Sequence, residues 1–308
     1  MHKQIVISGD SRALEAMAGE FARLEGVVGL SLQRASSLKP AGDVLSIYVL
    51  NRTADDVLRR AAGETRRGIV SIVIAEASAF LDTGKSELIA RDDDEALWEE
   101  VESQLRNHGR VSVNYLLLMM LGGIITGLAF TLDPVTQAIA FVGASITCPG
   151  FEPLAKVSQG WVLRRASMAR HGATATLAGY AVLILAAAAA FGLLVLLGEA
   201  KHAQLVAEPI TTSLTSWNAR SLLPSLVAAA AGGLMVASLR DAYVVGPLMV
   251  LALIPAGGLV GASLACGDLR LAGMALARTG VDMLFVVALV AAVFAWKQRS
   301  KHRRSLIP

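Results

Sequence analysis

The stretch Gly143-Ala144-Ser145-Ile146-Thr147-Cys148-Pro149-Gly150-Phe151-Glu152-Pro153 interrupts an apolar run that is long enough to cross a membrane. Proline lacks a backbone donor and clashes with the preceding helical turn. Two prolines, two glycines and an acid within eleven residues therefore predict a broken helix. The freed carbonyl and amide groups cannot face lipid, so they must face protein or a wet cavity. A second run, Gly246-Pro247 followed by Ile254-Pro255-Ala256-Gly257-Gly258, repeats the pattern a hundred residues on. Opened turns of this kind can hold a cation on carbonyls or an anion at a helix N-terminus. The plainer reading is that the prolines only kink their helices.

Six apolar segments surround these breaks: Val111–Leu132, residues 134–158, Gly172–Gly198, Ser221–Leu239, Ala242–Gly267 and Val281–Trp296. About 20 apolar residues span the hydrocarbon layer. With the N-terminus inside, the cytoplasmic flanks carry 11 Lys/Arg and the outer flanks 4. That bias favours both termini in the cytoplasm. The tail Lys297–Arg304 then reads as a lipid-headgroup patch. The polar linker Glu199–Arg220 reads as external.

An internal echo strengthens the pairing of the breaks. Trp161–Gly172 reads WVLRRASMARHG and Leu269–Gly280 reads LRLAGMALARTG. Ala169, Arg170 and Gly172 align with Ala277, Arg278 and Gly280 at a constant offset. Each segment precedes the last span of a three-span unit. Three is odd, so the second unit is expected to be inverted, the arrangement that places a transporter site at the repeat interface.

Composition agrees with this reading. The 308 residues are 54% hydrophobic and 17% charged, with mean hydropathy +0.56. Soluble domains carry about 25% charged residues. The deficit argues against an ordinary soluble enzyme and a disordered chain. With aromatics at 5%, it also argues against a nucleic-acid partner. The expected partners are the bilayer and a small solute or ion.

The charge divides unevenly. Residues 1–110 hold 14 Lys/Arg against 18 Asp/Glu, net −4, and residues 111–308 hold 14 against 7, net +7. Asp10, Glu15, Glu20 and Glu25 exclude a signal peptide from the first 25 residues.

Within the acidic part, Ile5–Ile7, Val28–Leu32, Val44–Leu50 and Ile69–Ile74 read as strands. Leu14, Met17, Phe21 and Leu24 mark one helix. Thr53 is the expected cap of a second, carrying Val57, Leu58 and Ala61. The order is βαββαβ, that of a ferredoxin-like, ACT-like domain. The expected organisation is thus a cytoplasmic domain at 1–90, an acidic linker helix at 91–110, a membrane domain at 111–297 and a basic tail at 298–308. The linker helix reads as a solvated stalk.

The broken stretch also carries a resemblance. Gly143–Pro153, Asn218-Ala219-Arg220-Ser221-Leu222-Leu223-Pro224-Ser225 and Val245–Pro255 with Cys266-Gly267-Asp268 resemble a prokaryotic integral membrane family, domain of unknown function 389. The resemblance covers roughly residues 112–290 and implies a fold group without an activity. Three positions depart from the family pattern. Glu152 stands where a small residue is usual, Ala256 where a second proline is usual, and Asp282 where an Asn is usual.

Candidate site residues follow from the breaks and the intramembrane charges. They are Thr147, Pro149, Gly150, Glu152, Pro153, Pro255, Gly257, Gly258, Arg220 and Asp282. An acid inside a span costs about 2.5–3.5 kcal/mol on insertion scales, so it is usually paired or functional. Glu152 could accept a proton or cation, or simply pair with Lys156 one turn on. Asp282 is a gate, a cation ligand or a residue at the span's mouth. Arg220 could anchor an anion or only the interface.

Gly122-Gly123, Ala228–Gly233 and Gly257, Gly258 and Gly261 predict tight helix packing or homo-oligomer contacts. No HExxH, GxSxG, P-loop or CxxC motif occurs, and the five histidines are scattered. An enzyme and a cofactor are therefore not expected. The sequence supports no metal site. The fold expected is an α-helical polytopic membrane protein of six spans, in two inverted three-helix repeats with Pro/Gly-broken helices, plus the N-terminal α+β domain. Transport through the breaks is the leading reading. A membrane-anchored sensor or scaffold, whose N-terminal domain binds a regulator, is the alternative.

Overall fold

The computed structural model describes residues 2–66, 70–77, 84–90, 92, 97–238 and 253–300. The chain forms two compact units: residues 1–101 with 296–308, and residues 102–295.

The first unit has the expected βαββαβ order: β1 (His2–Gly9), α1 (Ser11–Phe21), β2 (Val27–Leu38), β3 (Ala41–Val49), α2 (Asn51–Arg66) and β4 (Val70–Ala77). The sheet is antiparallel in the order β2-β3-β1-β4. Alternation sets its faces, because successive strand side chains point to opposite sides. Ile5 and Ile7 of β1 pair with Ile47 and Leu45 of β3 and with Ile74 and Ile72 of β4. These side chains pack with Leu14, Met17 and Phe21 of α1 and with Ala54, Val57 and Ala61 of α2.

Asp10 caps α1 through the Ala13 amide at 2.9 Å. The cap of α2 is not Thr53. The helix starts at Asn51, and the Asp92 carboxylate, 41 residues away, accepts the Asn51 amide at 2.9 Å. Lys3 is buried on the same face as Ile5 and donates to Glu100 at 2.7 Å and Glu76 at 3.1 Å.

A short helix α3 (Ser86–Ala90) precedes α4 (Trp98–His108), which runs across the division between the units. The expected solvated stalk is corrected here: Trp98, Val101, Glu102 and Leu105 are all buried. Apolar positions three or four residues apart give α4 an inward face despite its acidic start. Lys297 is likewise not a headgroup contact. It is buried, with Nζ 5.5 Å from the centre of the Trp98 ring. Residues 301–308 of the basic tail lie outside the described residues.

The second unit is helical: α5 (Val113–Ala129), α6 (Pro134–Thr147), α7 (Glu152–Val162), α8 (Ala166–Leu196), α9 (His202–Ala207), α10 (Pro209–Thr215), α11 (Ala219–Ala237), α12 (Leu253–Ala265) and α13 (Leu269–Ser300). Three of these, α8, α11 and α13, are long and apolar enough to cross a membrane. The pair α6 and α7 makes a fourth if its 47° bend lies within one span. Helices α5 and α12 are apolar but shorter, at 17 and 13 residues. The Gly246-Pro247 break and the first 11 residues of the expected fifth span lie outside the described residues.

Capping explains the boundaries. Ser112, Asp133 and Asn218 accept amides at the starts of α5, α6 and α11. Val135, Ile139, Val142 and Ile146 recur on one face of α6, and all four are exposed. A bare aliphatic stripe of this kind suits lipid rather than water.

Two expectations shift. The linker Glu199–Arg220 contains α9 and α10, whose Leu205 and Leu214 pack beside Phe130 and Leu259. The segment Leu269–Gly280, expected between the fifth and sixth spans, is helical and opens α13.

Candidate functional site

The break between α6 and α7 is Cys148-Pro149-Gly150-Phe151. The last regular bond of α6 is Cys148 N–H to Ala144 O at 3.0 Å, and α7 starts with no side-chain cap and a proline in its first turn. Glycines on three helices let neighbours close in. A Cβ at Gly122 of α5 would lie 1.9 Å from Cys148 Sγ, and one at Gly232 of α11 would lie 2.4 Å from Phe151 Cζ.

The break also meets α12. A Cβ at Gly150 would lie 2.9 Å from Tyr180 Oη and 3.0 Å from Ile254 Cδ1. A Cβ at Gly257 would lie 3.6 Å from Tyr180 Cδ1. Tyr180, on α8, therefore stands between the two proline-glycine segments. It is 4% exposed, and its hydroxyl has no hydrogen-bond partner among the described residues. An unsatisfied buried hydroxyl costs about 1–3 kcal/mol, so its retention calls for an explanation. The carboxylates of Glu152 and Asp282 both lie within electrostatic reach of it. Ser145 Oγ, one turn before the break, is also buried without a partner.

The second cluster lies on the other side of the first turn of α12. Arg278 of α13 donates Nη1 to Asp282 Oδ1 one turn on. Its Nη2 donates to Ser221 O at 2.7 Å and Ser225 Oγ at 3.2 Å. Its Nε has no partner. The two side chains are 5% and 2% exposed. With Arg220, Pro224 and Ala256 they line a cavity of about 120 Å³.

The site residues expected from sequence divide as follows. Pro149 and Gly150 form the break itself, and Glu152 and Pro153 open α7. Pro255 and Gly257 sit in the first turns of α12, beside the break. Gly258 turns away, against Thr126 of α5. Thr147 points back along α6, donating to Gly143 O at 2.9 Å, and not into a path. Lys156 Nζ donates to Gly109 O at 2.9 Å. Arg220 and Asp282 share the small cavity.

Residues 145–288 match the family model described as Domain of unknown function (DUF389). No curated protein and no solved structure matches the chain. The DUF389 match covers the resemblance seen in the sequence from Ser145 onward. It takes in both clusters: the break, Tyr180, α11, the described part of the second proline-glycine run, and Arg278 with Asp282.

Two residues of the DUF389 stretch escaped the sequence reading. Tyr180 stands alone as a polar group amid alanine and leucine, and that isolation was its signal. Arg278 falls between the expected fifth and sixth spans, although Arg and Asp at i, i+4 are partners on any helix.

Proposed function

We propose that this chain is an integral membrane protein that moves a small solute or ion across the bilayer. Its site lies where the two broken segments converge. The carrying observation is Tyr180, whose ring lies against Gly257 of α12 and whose buried hydroxyl lies against Gly150 with no hydrogen-bond partner among the described residues. Irregular backbone at membrane depth is tolerated where it is buried in protein or lines a cavity. A buried hydroxyl between two breaks, with Glu152 opening α7 beside it, supports a polar solute or ion site there.

Element lengths support two related halves. Helix α8, 31 residues long, follows the first break, and α13, 32 residues long, follows α12. On this reading the chain has six spans in two inverted units, with both termini in the cytoplasm at the inner membrane. The small-residue faces serve homo-oligomer contacts.

The test is flux in proteoliposomes holding the full-length chain, with Na⁺, K⁺ and Cl⁻ as successive probes. The proposal expects movement of at least one probe, altered in Glu152→Gln and Tyr180→Phe proteins that elute as the wild type does. Equal flux in all three proteins, or none for any probe, would sink it.

A further inference from the structure

One cavity lies away from the breaks and has a strongly biased lining. It measures about 510 Å³ and is lined by Glu102, Arg106, Arg110, Lys156, Arg165 and His171, with Val111 and the first turns of α8 completing the wall. With histidine neutral, that lining carries four cations against one acid.

The cations come from four separate segments. Arg106 is on α4 and Arg110 on the stretch leading to α5. Lys156 is on α7, and Arg165 is in the turn between α7 and α8. That turn is sharply defined. Arg164 takes a left-handed conformation at φ 53°, and the Arg165 amide bonds back to Gly160 O at 2.7 Å. This is the reverse turn that closes many helices. A Cβ at Gly160 would lie 2.5 Å from the Ala169 amide nitrogen, so glycine permits the close approach of α7 to α8.

Glu102 organises the cluster without neutralising it. One oxygen, Oε1, accepts from Arg165 at 2.6 Å and from Arg106 at 2.8 Å. It holds two guanidinium groups at one wall. Lys156 is 5% exposed and has its Nζ on Gly109 O. Basic residues commonly flank spans on the cytoplasmic side, and a solvated flank would be the ordinary outcome. Here a buried lysine and a half-buried arginine share one concavity with two further arginines. The N-terminus of α8, a 31-residue helix with no side-chain cap, adds its positive end to the same wall. A low-dielectric concavity focuses such a field.

We infer that this cavity binds a phosphomonoester-type anion, held by Arg106, Arg110, Arg165 and Lys156. Guanidinium forks match phosphate oxygens in pairs, and the ammonium adds a point charge. The volume exceeds what inorganic phosphate needs and accommodates a phosphate carrying an organic group. Two sources share that chemistry: a soluble phosphate and the headgroup of an anionic lipid. The inference is independent of the transport reading, because the cavity lies apart from Tyr180 and from Arg278.

The experiment uses the full-length protein in phosphatidylcholine nanodiscs. In one arm inorganic phosphate is titrated against chloride at matched ionic strength, and the thermal midpoint is followed. In the other, phosphatidic acid replaces part of the phosphatidylcholine. A midpoint rise with phosphate identifies a soluble ligand. A rise only with phosphatidic acid identifies a lipid headgroup. Either supports the inference if Arg106→Gln and Arg110→Gln each weaken the apparent affinity about tenfold, the size expected for one charge-assisted contact. Both side chains are exposed enough that the variants should fold, and Arg270→Gln, outside the cavity, should match the wild type. No rise in either arm, or a rise undiminished in both cavity variants, overturns it.

Discussion

Replacing Asp282 with Asn leaves the Arg278 guanidinium charged, buried and without its counter-ion. Removing one partner of a buried pair costs about 3–5 kcal/mol. The structure sets where in that range the value falls. Both side chains are almost fully enclosed, which pushes the cost up. Arg278 keeps the Ser221 carbonyl and the Ser225 hydroxyl, which pushes it down. We expect about 3 kcal/mol for Asp282→Asn. Arg278→Met should cost less, about 2 kcal/mol, because a stranded carboxyl can take up a proton and become neutral. The double variant Arg278→Met/Asp282→Leu removes both charges and should cost about 2 kcal/mol in all, well below the sum of the two singles. The assay is denaturant unfolding of the full-length protein in mixed micelles, read as a double-mutant cycle. Additivity within about 0.5 kcal/mol, or an Asp282→Asn protein as stable as the wild type, would refute the reasoning.

Two other predictions concern packing and pH. Gly123→Ala puts a methyl 2.3 Å from the Leu183 carbonyl oxygen, which is backbone and cannot swing aside. It should cost about 1–3 kcal/mol by the same unfolding assay. Gly143→Ala on α6 meets nothing within 4 Å and should be neutral or stabilising, since alanine favours helix by up to about 1 kcal/mol. In the first unit, the Ala35 amide, with help from the Ser11 hydroxyl, holds the Asp43 carboxyl below its ordinary range. A depressed carboxyl stabilises the fold above its unfolded value, about 3.9, and loses that contribution as pH falls through its lower folded value. Amide protection at the 33–38 stretch, corrected for the intrinsic exchange rate at each pH, should therefore fall in wild type below about pH 4. In Asp43→Asn that protection should be lower at neutral pH and less sensitive to the fall in pH. Equal profiles would contradict the assignment.

What was legible in the sequence was local. Ile5 and Ile7, or Leu45 and Ile47, alternate with polar neighbours, and a period of two leaves little choice of sheet face. Pro149 announces a break because it lacks a donor wherever it sits. What stayed hidden depended on distant residues. Nothing near Asn51 shows that Asp92 would cap its helix in place of Thr53. The charges Arg270 and Arg278 interrupt the apolar run and hide that Leu269–Gly280 is helical. The helix continues there because Asp282, one turn on, pairs with Arg278 and Ser225 meets it from α11. Tyr180 lies 30 residues from Gly150 in sequence, and only the packing of α8 against the break brings them together.

Water access at the first break tests the central claim most directly. Cys148 sits in that break with its thiol packed against Gly122. In the full-length chain carrying Cys266→Ser, it is the remaining cysteine. Reaction of a water-soluble, cationic methanethiosulfonate with this protein in native membranes can be followed by mass. A solute site at the breaks must open to water, so Cys148 should label in the folded protein, and at a rate that changes with the ion that is moved. If the proline segments are only kinks, Cys148 will stay unmodified until the protein is denatured, and that result would contradict the account.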